Sequence, residues 1–511
     1  MKREQETGSQ EATAGRVHRK IITRHAEDAA FYWARRMDGA LASQHDLHSL
    51  GRFEFLLQAN LEGLRVAQYE SSHLDARGHL LTPGSAGWDA TFRRVQLWKT
   101  ADETFVAAVL ALEDAGAAQP TADDTSGASV RPLALLEEVA CDQFDDAAGS
   151  DVPPMALGLA SAAGWLPWDV VRTPVLAWAR STEALLRRCA LSALALQRLP
   201  ADGALARWLN DTHPMVRARA LQAVGELGQT DLAGDLVSAL EAPADNDPWG
   251  CRAAAATSLC LLGRAHGRSD VAAGIAAAWA GSPAPQAATQ FLAAWAQTAP
   301  ASQLQTVVEP ALQQREHWRL ALAAMRFSGD ERWLDVLIQM MEHQSGVEPV
   351  ARFFTEPASN LARHAADVFA HISGARIGEQ LWRQAPEPDQ ESDAEAAAED
   401  TASDPRIPAA RKQDPDDGLL WPDVDAVKQW WSAHRSGFAP GGAHQGRYLA
   451  GLPLQPGSAS QVLVDPSATQ LQRHHAALYL RCASHTAQLF DVRAPLPAQR
   501  ARAHALGLVL P

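Results

Sequence analysis

The 511-residue chain is poor in most of the features that make a chemical site easy to read. Its five cysteines, Cys141, Cys189, Cys251, Cys260 and Cys482, are odd in number, scattered, and form no CxxC pair. That excludes a disulfide framework and a zinc-finger pattern, and it predicts reduced thiols in a cytoplasmic protein. Positive charge is in deficit: 45 Lys and Arg stand against 60 Asp and Glu, a net charge of −15. Nucleic acids and anionic lipid surfaces are held by clustered Lys and Arg, so this balance argues against both as partners. There is no GxGxxG, no P-loop, no nucleophile elbow and no HExxH, which lowers the expectation of catalysis. The first twenty residues lack the apolar run of a secretory signal. One stretch, 271–308, carries no charged residue or His. Pro283 and Pro285 break it, and Ala and Gln dominate it. Each half is too short or too polar to span a bilayer, so two buried helices are expected there.

What is abundant is Ala and Leu, within a hydrophobic content of 47%. Few β-branched residues accompany them, which favours helix over strand. The stretch DTHPMVRARALQAVGELG, 211–228, has a close copy further on. With Arg217 set on Arg252, Ala220 meets Ala255, Val224 meets Leu259, Leu227 meets Leu262 and Gly228 meets Gly263. Thirty residues earlier, RRCALSALALQR places Arg187 in the same position, with Ala190, Leu191, Ala193 and Leu194 following in register. HWRLALAAMRFSGDERWLDVLIQMM and NLARHAADVFAHISG are looser copies. Each unit predicts a turn rich in Asp, Thr and Pro, a helix, a Gly that ends it, and a second helix such as DLAGDLVSAL. Pro214 sits where a first-turn proline costs no hydrogen bond.

The signature at 211–228 resembles the HEAT family of helical repeats, and the resemblance covers roughly 150–383. It implies stacked helix pairs, each burying its apolar stripe against its neighbours in an α-α superhelix. Arg217 and its equivalents are expected to pair with an Asp or with helix carbonyls in an adjacent unit. The same packing problem recurs in every unit, which favours that role over a ligand clamp.

The organisation read from the sequence is all-α. Residues 1–24 form a disordered tail. Residues 25–130 form a helical cap, with helices over HAEDAAFYWARRMDGAL and DLHSLGRFEFLLQANLEGLRVA. In the second of these, Leu50, Phe53, Leu57, Leu61 and Leu64 face inward. HEAT-like repeats fill 131–384. Eight acids and no base occupy 385–404, so 385–418 is a solvated linker, with an acidic interaction tail as the rival reading. A small helical C-terminal domain, 419–511, docks on the last repeat.

Two constellations carry candidate chemistry. His364, Asp367 and His371 fall at i, i+3 and i+7 of one helix and share a side, which suits a metal. No fourth ligand accompanies them, so no metal or cofactor is assigned. HDLH at 45–48 and the His474–His475 pair are weaker still. Trp430 and Trp431 with Arg435 suit an aromatic partner-binding anchor, although core packing of a small domain explains them equally well.

Several further segments, among them EDAAFYWARRM, LWPDVDAVKQWWSAHRSGFAPG, RYLAG and LFDVRAP, are together similar to a proteobacterial family of HEAT-repeat proteins without an assigned activity. Its genes often lie near type VI secretion components. The resemblance implies cytoplasmic protein binding and brings no catalytic residue. The expectation is a non-enzymatic scaffold or adaptor that binds an effector toxin or secretion component with a basic surface, in an immunity or chaperone role. The rival is an enzyme on a HEAT scaffold, like a bilin lyase or an alkylpurine DNA glycosylase; the acidic charge speaks against the second.

Overall fold

The computed structural model describes residues 19–69, 86–117, 132–146, 152–199, 203–242, 247, 249–264, 285–314, 317–342, 359–376, 381–383, 418–438, 446–483 and 488–511. They form 21 α-helices and almost no strand. The all-α expectation holds, apart from two antiparallel ladders of two residues per strand.

The first four helices are α1 (Arg19–Gly39), α2 (Leu47–Tyr69), α3 (Ala86–Trp98) and α4 (Ala101–Ala117). Helix α1 begins at Arg19, so six residues placed in the tail belong to it. As expected, Leu50, Leu57, Leu61 and Leu64 of α2 are fully buried, while Phe53 is half-buried. Next come α5 (Pro132–Asp146), α6 (Pro154–Trp165), α7 (Trp168–Trp178), α8 (Ala184–Gln197), α9 (Ala204–Leu209), α10 (Pro214–Leu227), α11 (Ala233–Glu241) and α12 (Cys251–Leu261). The part of the uncharged stretch from Pro285 onward forms α13 (Pro285–Thr298) and runs into α14 (Ala301–Leu312), while the half before the break, 271–284, lies outside the described residues; α15 (Trp318–Ser328), α16 (Trp333–Glu342) and α17 (Ser359–Ser373) follow. No helix among the described residues is long and apolar enough to cross a membrane.

These helices sort into two layers. α4, α6, α8, α10, α12, α13, α15 and α17 pack each on the next and make a continuous inner row. α7, α9, α11, α14 and α16 pack against its back. Helix α10 shows why the units end where they do. Pro214 takes its first turn, the His213 ring accepts from the Met215 amide at 3.2 Å, and Gly228 ends it at φ +73°. Gly263 closes α12 in the same left-handed conformation. At the end of α8 the glycine is replaced by Arg198, also left-handed at φ +57°.

The repeated arginine has a structural partner. Arg187 forms a bidentate pair with Asp211 of the next unit at 2.8 and 2.9 Å, and Arg217 donates to the carbonyls of Asp211 and Thr212. Arg252 donates to the Leu240 carbonyl. Arg187 thus ties its helix to the next unit's turn, Arg217 holds the turn before its own helix, and Arg252 holds the last turn of α11.

The C-terminal region contains α18 (Val424–His434), α19 (Pro456–Val464), α20 (Gln470–Ala483) and α21 (Leu496–Ala505). Strand β1 (Trp382–Arg383) pairs with β2 (Trp421–Pro422), so the two flanks of the acidic stretch lie side by side. The acidic stretch itself falls outside the described residues. β3 (Tyr448–Leu449) and β4 (Leu452–Pro453) form the second ladder.

This region does more than dock on the last repeat. It runs along the carboxyl ends of the inner row, from α17 back to α1. The amides of Ala450 and Gly451 donate to His371 and Ile372 at the end of α17, and the Tyr448 amide donates to Gly329 just past α15. Arg447 donates to the carbonyls of Ala296, Gln297 and Ala299 at the end of α13. The Leu489 amide donates to Glu226 at the end of α10, and Arg502 donates to Leu196 at the end of α8. Arg36 of α1 then receives the strap, donating to the carbonyls of Arg493 and Ala494. The last carbonyls of a helix have no partner within it and carry its negative pole, so amides and guanidinia satisfy both needs.

Candidate functional site

The three residues of the suggested metal triad share helix α17 but not a centre. The His364 ring lies edge-on to Trp318 at 5.7 Å. Asp367 accepts from Arg326 of α15 at 2.6 Å. His371 meets His475 of α20, ring nitrogens 2.9 Å apart and rings stacked. Among the described residues no group of three His, Cys, Asp or Glu could hold a metal ion. The His474–His475 pair, the weaker candidate in sequence, is what His371 finds. Phe327 packs edge-on against both His371 and His474. Burial lowers His475 to about 3, with His474, Arg447 and Arg326 adding to it, and lowers His474 to about 4. His371 falls well below the ordinary imidazole value, first by burial and then by His475. These rings are neutral at pH 7 and hold the strap to the stack.

Trp430, Trp431 and Arg435 lie on or just after α18, against α16 and α17. Trp431 is buried, and its indole N–H donates to Asp335 at 2.8 Å. Arg435 donates to the other oxygen of Asp335 at 2.8 Å and covers the Trp431 ring. Trp430 is half-buried, stacked on His434 and edge-on to Phe369. Four cysteines are poor nucleophiles: burial raises Cys189, Cys251 and Cys482 to about 12, and Cys260 well above its ordinary value.

A cleft of about 640 Å³ opens between the end of α1 and the last helices of the inner row. One wall is the end of α1 and the turn after it: Arg35, Asp38 and His45. The facing wall is Arg326, His364 and Asp367, from the last helices of the inner row. Gly418 and Leu419, where the chain re-enters beyond the acidic stretch, close one side, and Leu471 of α20 bridges the walls. Burial raises the Asp38 carboxyl, opposed by Arg35, and lowers the His45 ring. The cleft therefore offers charges of both signs and titratable rings within one opening. Its size falls within the usual range of ligand sites, roughly 300–1,000 Å³.

No sequence signal joined Asp38 and His45 to Asp367, because they are more than 300 residues apart in the 511-residue chain. No known family model, curated protein or solved structure matches the chain.

Proposed function

We propose that this protein is a non-enzymatic scaffold or adaptor, a curved α-solenoid of the HEAT kind that holds a protein partner. The observation that carries the reading is the cleft between Arg35, Asp38 and His45 on one side and Arg326, His364 and Asp367 on the other. The walls come from α1, early in the chain, and from α15 and α17, the last members of the inner row, a closeness that suits a curved stack of helical repeats. The groups that suggested a metal are committed to Trp318, Arg326 and His475. The whole chain carries a net charge of −15. That charge favours a partner with a basic surface, through steering and salt-sensitive contacts. A secretion-associated toxin or component has the required chemistry, and binding it would amount to an immunity or chaperone role in the cytoplasm.

The test is capture from native cells with the tagged full chain, at low and at high salt. The expected result is one stoichiometric basic protein, released by salt. Asp38→Lys reverses an exposed charge at the mouth of the cleft; it should abolish capture without changing Tm. Absence of a stoichiometric protein, or capture indifferent to both salt and Asp38→Lys, would overturn the proposal.

A further inference from the structure

A second, smaller concavity opens on the inner row itself, across α8, α10, α12 and α13. Its volume is about 110 Å³, and Arg188, Arg219, Gln222, Trp249 and Gln290 line it. By the room a water needs, roughly 10–15 Å³ of such space, it takes a group of several heavy atoms and no large cofactor.

Its charges are unbalanced. Arg219 is 8% exposed. Its Nε donates to Ser192 at 3.1 Å and one terminal nitrogen donates to Glu226 at 2.9 Å. The other terminal nitrogen is buried and has no partner. Arg188, half-buried on the neighbouring helix, forms no hydrogen bond or ion pair with any described residue. Glu226 is already bound by Arg219 and approached by Arg198 at 3.9 Å. Gln222 donates to the Gln290 oxygen at 3.1 Å, which leaves the Gln290 amide N–H groups without a bond to any described residue. Burial lowers Arg188 to about 10, and Arg219 adds to that effect. Two guanidinia that repel each other in a partly desolvated pocket are a cost unless an anion lies between them.

We propose that this pocket binds a small oxyanion, of the phosphate or carboxylate type, at the Arg188 guanidinium, beside the buried and incompletely partnered charge of Arg219. Guanidinium forks match such oxygens in geometry and charge, and hydrogen bonds between ionised groups are the stronger kind. The Gln290 amide supplies a neutral donor at the rim. The site is separate from the cleft, and it stands or falls independently of partner capture.

The experiment uses the full chain and compares inorganic phosphate, acetate and chloride at equal ionic strength, by calorimetry and by Tm. One oxyanion should bind and raise Tm where chloride does not. Phosphate ahead of acetate identifies a phosphoryl ligand; acetate ahead identifies a carboxylate. Arg188→Gln should weaken binding at least tenfold, and without oxyanion its Tm should equal or exceed that of the natural chain. Arg188→Lys should restore part of the affinity. Gln290→Leu, on an exposed side chain, should weaken binding less and leaves the fold in place if Arg188→Gln proves insoluble. Oxyanions that act no better than chloride would overturn the proposal. So would undiminished oxyanion binding in Arg188→Gln or, should that variant be insoluble, in Gln290→Leu.

Discussion

The two ends of the same inner helices are treated in opposite ways. At their carboxyl ends the chain closes on itself: Arg447, Arg502 and the amides of Tyr448, Ala450, Gly451 and Leu489 each meet a terminal carbonyl. On the face nearer their amino ends, Arg188 and Arg219 line an open pocket, Arg188 without a bond to any described residue and Arg219 with one terminal nitrogen buried and unpartnered. A guanidinium at a carboxyl end answers a need of the helix, since the unpaired carbonyls and the negative pole lie there. Away from that end a guanidinium needs another partner: Arg187 and Arg217 find it at Asp211 and Thr212, and Arg188 finds none among the described residues. An arginine's partners thus separate architecture from recognition better than its burial does.

The strongest challenge to this contrast is at Arg36, which latches the sealed side. It is fully buried, pairs with Glu54 at 3.0 Å and stacks over Trp165 as well as holding two strap carbonyls. Arg36→Met leaves Glu54 buried and those carbonyls bare, an expected loss of about 3–5 kcal/mol. Denaturant unfolding checks it. A loss below about 1 kcal/mol would mean the strap is not held there. Adding Glu54→Gln should recover part of the loss, because the stranded charge is gone.

Gly329 probes the same seal by shape. Its φ is +64°, and a Cβ there would lie 2.5 Å from the Tyr448 carbonyl oxygen. Gly329→Ala should cost about 2–3 kcal/mol, from the strained conformation and the displaced strand together. An unchanged Tm would show that β3 is free to move off α15.

The histidine seam gives a gentler probe. His371, His474 and His475 have lowered pKa values in the fold, so the unfolded chain binds more protons below its ordinary value near 6.5. Their contribution is complete above about pH 6.5 and is lost as pH falls toward the folded values. Each ring kept neutral costs up to about 1.4 kcal/mol per pH unit in that window. Stability measured between pH 7 and 5 should therefore fall, and His475→Gln should flatten the slope. A slope unaltered by His475→Gln would place the titration elsewhere.

The sealed side was almost illegible in the sequence, and the stack was not. An apolar stripe repeats because every unit buries the same face, so Ala220 and Ala255, or Val224 and Leu259, carry their alignment in the letters, and all four are buried. Gly228 and Gly263 mark helix ends because they alone take the left-handed turn cheaply. Strap contacts leave no such trace. Arg447 binds main-chain carbonyls about 150 residues away, which any residue type would present. His371 and His475 stand 104 apart, with no spacing to suggest a pair. Arg198 even stands where the repeat would put glycine, and its Nε donates to Leu489 of the strap. The cleft was illegible for the same reason: its walls come from α1 and from α15 and α17, far apart in the chain.

Arg435 carries the smallest expected effect and the finest distinction. Its side chain is 63% exposed and its partner Asp335 is 47% exposed. Solvent screens such a pair, so Arg435→Ala should cost no more than about 1 kcal/mol. Trp431 keeps its own hydrogen bond to Asp335 and its burial against α17, so α18 should stay in place. Stability therefore says little about Arg435, and binding decides. If Arg435→Ala leaves Tm and partner capture intact, the Trp430–Trp431–Arg435 group belongs with the packing of the sealed side. If capture falls while Tm holds, α18 forms part of the recognition surface, and the division between a closed edge and an open face must be drawn inside the C-terminal region itself.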